Sequence, residues 1–96
     1  MNRCQLLLTK LAEEGCEISQ IALKTQQFGM HEICPGQPLT NAQRIHLELD
    51  DLMAAIQMLN DEYGLMYLPN QERIKAKIAK VNKFAQYSVE LGEVTL

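Results

Sequence analysis

The sequence predicts an all-α fold built from three helices. Hydrophobic residues make up 47% of the chain but aromatic residues only 5%, and Trp is absent; this composition favours helices packed through aliphatic side chains. Apolar residues recur at helical spacing in three long stretches, which Gly and Pro residues separate. A chain of 96 residues makes one small domain, residues 1–96, with a limited core of its own.

The first helix is predicted at about residues 3–28, and Gly29 is expected to end it because glycine commonly terminates helices. Residues 29–39 hold two Pro and two Gly residues and are predicted to form a loop. The second helix is predicted at about residues 40–63 and should end at Gly64.

Capping residues mark the starts of the later helices. Thr40 and Gln43 have the spacing of a capping box, in which each side chain bonds the other residue's backbone amide. Asn70 is a candidate cap for the third helix, predicted at about residues 70–91.

The first two helices each place a pair of carboxylates on an otherwise apolar face. Glu14 and Glu17 are three residues apart, as are Glu48 and Asp51, and residues at this spacing are neighbours on one face of a helix. A lone acid beside an apolar stripe usually reaches water with its head group, but two matched pairs facing a core would be very costly to bury without compensation. Two antiparallel helices would bring the pairs together.

We therefore predict that a divalent cation binds between the helices, with Glu14, Glu17, Glu48 and Asp51 as its ligands. Ligand sets made only of oxygen suit Mg²⁺, with Mn²⁺ as a possible substitute.

The third helix carries positive charge beside its apolar stripe. The stripe consists of Ile74, Ile78, Val81, Ala85 and Val89. Lys77 and Lys80 lie nearest to it on the basic flank. Because Lys binds phosphate as a point charge, these two residues are predicted to bind substrate phosphates; an ordinary solvated lysine face is the alternative.

Other charged residues near the acid pairs leave two interpretations open. Glu62 lies on the same helix edge as the second pair and is expected either to act at the metal or to be solvated. Lys10 and Arg44 each lie one turn before an acid pair. As an alternative to phosphate binding, they are interpreted as i,i+4 salt-bridge partners of Glu14 and Glu48.

Charge and cysteine content limit the classes of partner. A net charge of −3 argues against binding of a nucleic-acid polymer, and no apolar run approaches the roughly 20 residues of a membrane span. Cys4, Cys16 and Cys34 are odd in number and lack a paired spacing, which predicts free thiols and a cytoplasmic location.

The acid motifs resemble those of the MazG-like all-α nucleoside triphosphate pyrophosphohydrolases, in the compact single-domain form of phages and bacteria. That family has Glu-x-x-Glu on one helix and Glu-x-x-Asp on the next. Residues 10–22 are similar to the first motif with its surroundings and residues 47–56 to the second. The resemblance covers about residues 5–90, and Gly15 inside the first motif departs from good helix formers.

The resemblance implies Mg²⁺-dependent hydrolysis of a (deoxy)nucleoside triphosphate to the monophosphate and pyrophosphate. Glu14 or Glu17 would orient the attacking water, and the four acids would hold the metal. It also implies self-association as a dimer or a dimer of dimers, forming a multi-helix bundle in the host cytoplasm if the chain is phage-encoded. The rival hypotheses are a non-catalytic helical interaction module and an enzyme similar to phosphoribosyl-ATP pyrophosphohydrolase.

Overall fold

The computed structural model describes residues 1–95, and within that range it contains three α-helices and no strand. The helices are α1 (Arg3–Phe28), α2 (Asn41–Tyr63) and α3 (Gln71–Glu90). The prediction of an all-α, three-helix chain is confirmed.

Side-chain caps define where the helices start. The backbone amide of Gln43 donates to Thr40 Oγ1 at 3.2 Å, and the amide of Thr40 donates to Gln43 Oε1 at 2.9 Å, so the predicted capping box is present. Asn70 caps α3 as predicted. A second capping box, formed by Asn2 and Gln5 at the start of α1, was not predicted.

The loop between α1 and α2 is fastened to the start of α2 by hydrogen bonds. Asn41 is only 1% exposed, and its Nδ2 donates to the carbonyl oxygen of Gly29 at 2.9 Å and to Glu32 Oε1 at 3.1 Å. The backbone amides of Asn41 and Ala42 donate to the carbonyl oxygens of Glu32 and Met30, both at 3.0 Å. Loop carbonyls thus satisfy amides that a helix start leaves without intrahelical partners, and this sets the relative position of the two helices.

Helices α1 and α2 pack against each other as an antiparallel hairpin. The buried apolar side chains of the seam are Leu7, Ile21, Ala55 and Leu59. At the open end, Arg3 Nε donates to Glu62 Oε1 at 2.5 Å, which joins the start of α1 to the end of α2. The acid pairs lie between apolar positions along this seam, as the spacing indicated.

Helix α3 stands apart from the hairpin. Within the described residues, no Cα atom of α3 lies within 8 Å of a Cα atom of α1 or α2, and no residue of α3 is buried. The radius of gyration is 16.9 Å, against about 12–13 Å for a compact domain of this length. The protomer is therefore open, and Ile78 in the apolar stripe is 55% exposed.

The hairpin also leaves large apolar side chains in contact with solvent. They include Leu6, Leu8, Met53 and Met58, and Leu65, just after α2, is also exposed. None of the helices described over residues 1–95 has both the length and the apolar character needed to cross a bilayer.

Candidate metal centre

Four carboxylates from the two helices of the hairpin converge at one point of the seam. One oxygen from each of Glu14, Glu17, Glu48 and Asp51 lies within 4.8 Å of the others. Across residues 1–95, this is the one group of three or more His, Cys, Asp or Glu side chains placed so closely. The structure therefore brings together all four residues that the sequence pairs, while metal binding by them stays a prediction.

The cluster is buried on its inner side and open on its outer side. Glu14 and Glu48 are half-buried, whereas Glu17 and Asp51 are exposed. Glu14 Oε2 and Glu48 Oε2 are buried and have no hydrogen-bond partner among the described residues. Buried oxygens are normally paired, because water that is given up must be replaced by another favourable contact.

Mutual repulsion and burial shift the proton affinities of the two inner acids. The pKa of Glu48 is raised from 4.5 to about 7, first by the adjacent Glu17 carboxylate, to which Glu48 can donate a hydrogen bond once it is protonated, and then by desolvation and the charges of Glu17, Asp51 and Glu14. Desolvation, followed by the charges of Glu17 and Asp51, also raises the pKa of Glu14. Negative charge is thus unfavourable here unless a cation offsets it.

The donor set fits a hard divalent cation. All four candidate ligands are carboxylates, which are ligands that Mg²⁺ and Mn²⁺ accept in proteins. The two orphaned inner oxygens would gain a partner in such an ion. The residues present therefore match the predicted cofactor in chemistry.

Two cavities adjoin the cluster on opposite sides of the acid pairs. One, of about 470 Å³, is largely apolar and is lined by Arg3, Leu6, Leu7, Lys10, Glu14, Asp51, Ala54, Ala55 and Met58. The other, of about 310 Å³, is largely polar and is lined by Glu17, Gln20, Ile21, Lys24, Arg44 and Glu48. A ligand that reached the carboxylates would meet apolar surface on one side and cations on the other.

The cations of the apolar cavity are already paired. Lys10 Nζ lies 3.1 Å from Glu13 Oε2, so the expected pairing of Lys10 with Glu14 is wrong. Arg3 pairs with Glu62, and its hydrogen bond lowers the pKa of that carboxyl. Glu62 is thus an ion-pair partner at the hairpin's open end, and it is not part of the carboxylate cluster.

The cations of the polar cavity are not paired. Arg44 Nη1 donates to Asn41 Oδ1 at 3.5 Å, and within residues 1–95 neither Arg44 nor Lys24 lies within salt-bridge distance of an acid. The expected i,i+4 salt bridge between Arg44 and Glu48 is therefore wrong. Lys24 was not singled out from the sequence, although it follows Glu17 by seven residues, two helical turns along the same face.

The two lysines predicted to bind substrate lie elsewhere in the protomer. Lys77 and Lys80 line a shallow cavity of about 390 Å³ on α3, together with Phe84. Because α3 does not approach the hairpin, the structure does not bring these lysines to the carboxylates of their own chain. Their role in substrate binding stays a prediction.

No protein-family model matches the chain, and neither a curated protein nor a solved structure shows significant similarity to it. The resemblance to MazG-like enzymes accordingly stays a prediction carried by the two acid motifs.

Proposed function

We propose that this chain is a Mg²⁺-dependent nucleoside triphosphate pyrophosphohydrolase, which cleaves a (deoxy)nucleoside triphosphate to the monophosphate and pyrophosphate. The observation that carries the proposal is the convergence of four carboxylates within 4.8 Å at the seam, with two inner oxygens lacking a partner among the described residues. Clustered acids that served only as a solvated surface would not need to face one another across a helix pair.

Each acid of the cluster has a proposed task. Glu14, Glu17, Glu48 and Asp51 hold the cation, and Mn²⁺ is a possible substitute for Mg²⁺. When bound, Mg²⁺ would neutralise charge on phosphate oxygens as a Lewis acid. Glu17, which is exposed, or Glu14 beside it orients a water molecule for attack on phosphorus and accepts its proton.

Self-association is part of the proposal, and the open shape of the protomer supports it. The apolar stripe of α3 and the apolar side chains of the hairpin are left without a covering element in the described part of one chain. Such surfaces commonly mark protein interfaces. We propose a dimer or dimer of dimers in which they cover one another, and Lys77 and Lys80 would then act at the carboxylates of a second copy.

A non-catalytic helical interaction module is the rival function, and the exposed stripe of α3 is the observation that favours it. The two functions predict different behaviour toward nucleotides. Only the enzyme releases pyrophosphate, and only the enzyme requires the acid cluster.

The test is pyrophosphate release from all common ribo- and deoxyribonucleoside triphosphates and from phosphoribosyl-ATP, with Mg²⁺ and with EDTA. Wild type should hydrolyse at least one of them only with Mg²⁺. Glu48→Gln should lower the rate on the order of a hundredfold, because the variant would hold less tightly the cation that offsets negative charge in the transition state. Asp50→Asn is the matched control: it removes a neighbouring charge that is exposed and outside the cluster. Absence of hydrolysis across this panel, or equal rates for both variants, would refute the proposal.

A further inference from the structure

Four cations line the two cavities beside the carboxylate cluster, and they fall into two classes. Arg3 and Lys10, in the apolar cavity, already have carboxylate partners. Lys24 and Arg44, in the polar cavity, have no acid within salt-bridge distance anywhere in residues 1–95. The positive charge available to a ligand of this hairpin is therefore concentrated on one side of the cluster.

The polar cavity is lined by opposite charges that do not form ion pairs with one another. Lys24 and Arg44 share its lining with Glu17 and Glu48, yet none of the possible pairs closes to 4.0 Å in the described chain. The charges of Lys24 and Arg44 are therefore not neutralised by an ion pair with either acid. The open space that these side chains line has a volume of about 310 Å³.

A ligand suited to that space must offer anionic oxygens to the cations. The volume lies at the low end of the roughly 300–1,000 Å³ of small-molecule sites, so it suits a short phosphate chain better than a whole nucleotide. The planar guanidinium of Arg44 can bind two phosphate oxygens at once, and Lys24 adds a mobile point charge.

The two unpaired cations come from different helices, Lys24 from α1 and Arg44 from α2. Lys24 lies two turns beyond Glu17 on α1, and Arg44 lies one turn before Glu48 on α2. Because the two helices are antiparallel, both residues lie at the same end of the cluster. Gln20 lines the same cavity and adds an amide donor.

We infer that Lys24 and Arg44 form a polyphosphate subsite on the hairpin itself, next to the carboxylate cluster and toward the loop end. The inference rests on the proposed function for its substrate class. It gives each protomer its own phosphate contacts, whereas Lys77 and Lys80 need a second copy.

Inorganic tripolyphosphate is the probe, titrated calorimetrically into the full chain with Mg²⁺ and, separately, with EDTA. The double variant Lys24→Gln/Arg44→Gln removes two charge-assisted hydrogen bonds. Each loss should weaken binding about tenfold, so the double variant should bind about a hundredfold more weakly. Lys75→Gln/Lys83→Gln makes the same change in net charge on α3, away from every cavity near the cluster. This control should change binding by no more than about twofold.

Two single variants guard against misfolding of the double variant. Lys24 is exposed, so Lys24→Gln leaves the helix intact and should by itself weaken binding about tenfold. Arg44→Lys keeps the charge beside the half-buried start of α2 and should retain more affinity than Arg44→Gln. Helicity measured by circular dichroism verifies each fold.

The outcomes separate this inference from the proposed function. Tripolyphosphate binding that depends on Lys24 and Arg44, without hydrolysis of any nucleotide, leaves the subsite standing and removes the enzyme. Hydrolysis that survives Lys24→Gln/Arg44→Gln with an unchanged KM leaves the enzyme standing and overturns the subsite. The subsite is also overturned if wild type binds tripolyphosphate in neither buffer, or if the double variant and its control bind it equally well.

Discussion

Replacing Glu48 by Gln should stabilise the metal-free protein and at the same time abolish its stabilisation by Mg²⁺. The substitution keeps the shape of the side chain and removes one charge from the cluster. Because the pKa of Glu48 is raised to about 7, the native state binds more protons than the unfolded state between pH 4.5 and pH 7. The free energy of unfolding of wild type therefore falls as the pH rises through that window, and the full penalty is present at pH 8.

The size of the effect follows from the shift. A change from 4.5 to about 7 corresponds to at most about 3 kcal/mol. The cluster is open to water on its outer side, so screening should reduce this to about 1–2 kcal/mol. For a domain of this length each kcal/mol moves the Tm by about 4–8 °C.

The assay is thermal unfolding followed by circular dichroism, at one protein concentration, with EDTA or with Mg²⁺ at pH 8 and pH 5. In EDTA at pH 8, Glu48→Gln should unfold at a higher temperature than wild type, and the difference should shrink at pH 5, where native Glu48 is protonated. Mg²⁺ should raise the Tm of wild type but not that of Glu48→Gln. Asp50→Asn removes a charge outside the cluster and should keep the response to Mg²⁺. A metal-free Glu48→Gln that is no more stable than wild type, or an equal response of both to Mg²⁺, would refute the reasoning.

Three further predictions concern the hairpin and its partner. Asn41→Ala should lower the free energy of unfolding by about 1–3 kcal/mol in urea titrations, because the buried side chain then no longer donates hydrogen bonds to the Gly29 carbonyl oxygen and to Glu32; an effect near zero would contradict this. Arg3→Gln should destabilise wild type slightly at pH 7 but not at pH 3: the pKa of Glu62 is lowered by Arg3, so the pair's contribution is present above the unfolded-state pKa and disappears as falling pH protonates Glu62. Ile78→Glu should convert the proposed dimer or dimer of dimers to a monomer in sedimentation velocity, and an unchanged mass would argue against an interface on α3.

The local features of the fold were predictable because each has a short-range cause. The capping box of Thr40 with Gln43 and the cap at Asn70 depend on residues three apart. The seam followed from 3.6-residue periodicity, and this periodicity also aligned Glu14 with Glu48 across the hairpin.

The position of α3 was not predictable because an amphipathic face has the same sequence pattern whether it packs on its own hairpin or on another chain. Ile78 would carry the same signal in either case. The ion pairs were missed for a related reason. By helical spacing alone, Glu14 is as good a partner for Lys10 as the observed partner Glu13, and Glu48 is a good partner for Arg44. Only the three-dimensional arrangement shows that neither Lys10–Glu14 nor Arg44–Glu48 forms in the described chain.

The placement of all four carboxylates on α1 and α2 has a consequence for the order of events during folding. Most contacts of these two helices lie within each helix, and mainly helical topologies fold rapidly. The hairpin alone supplies every ligand of the proposed cation site, so that site needs neither α3 nor a second copy of the chain. In the proposed assembly, cation binding can therefore precede the encounter of two chains.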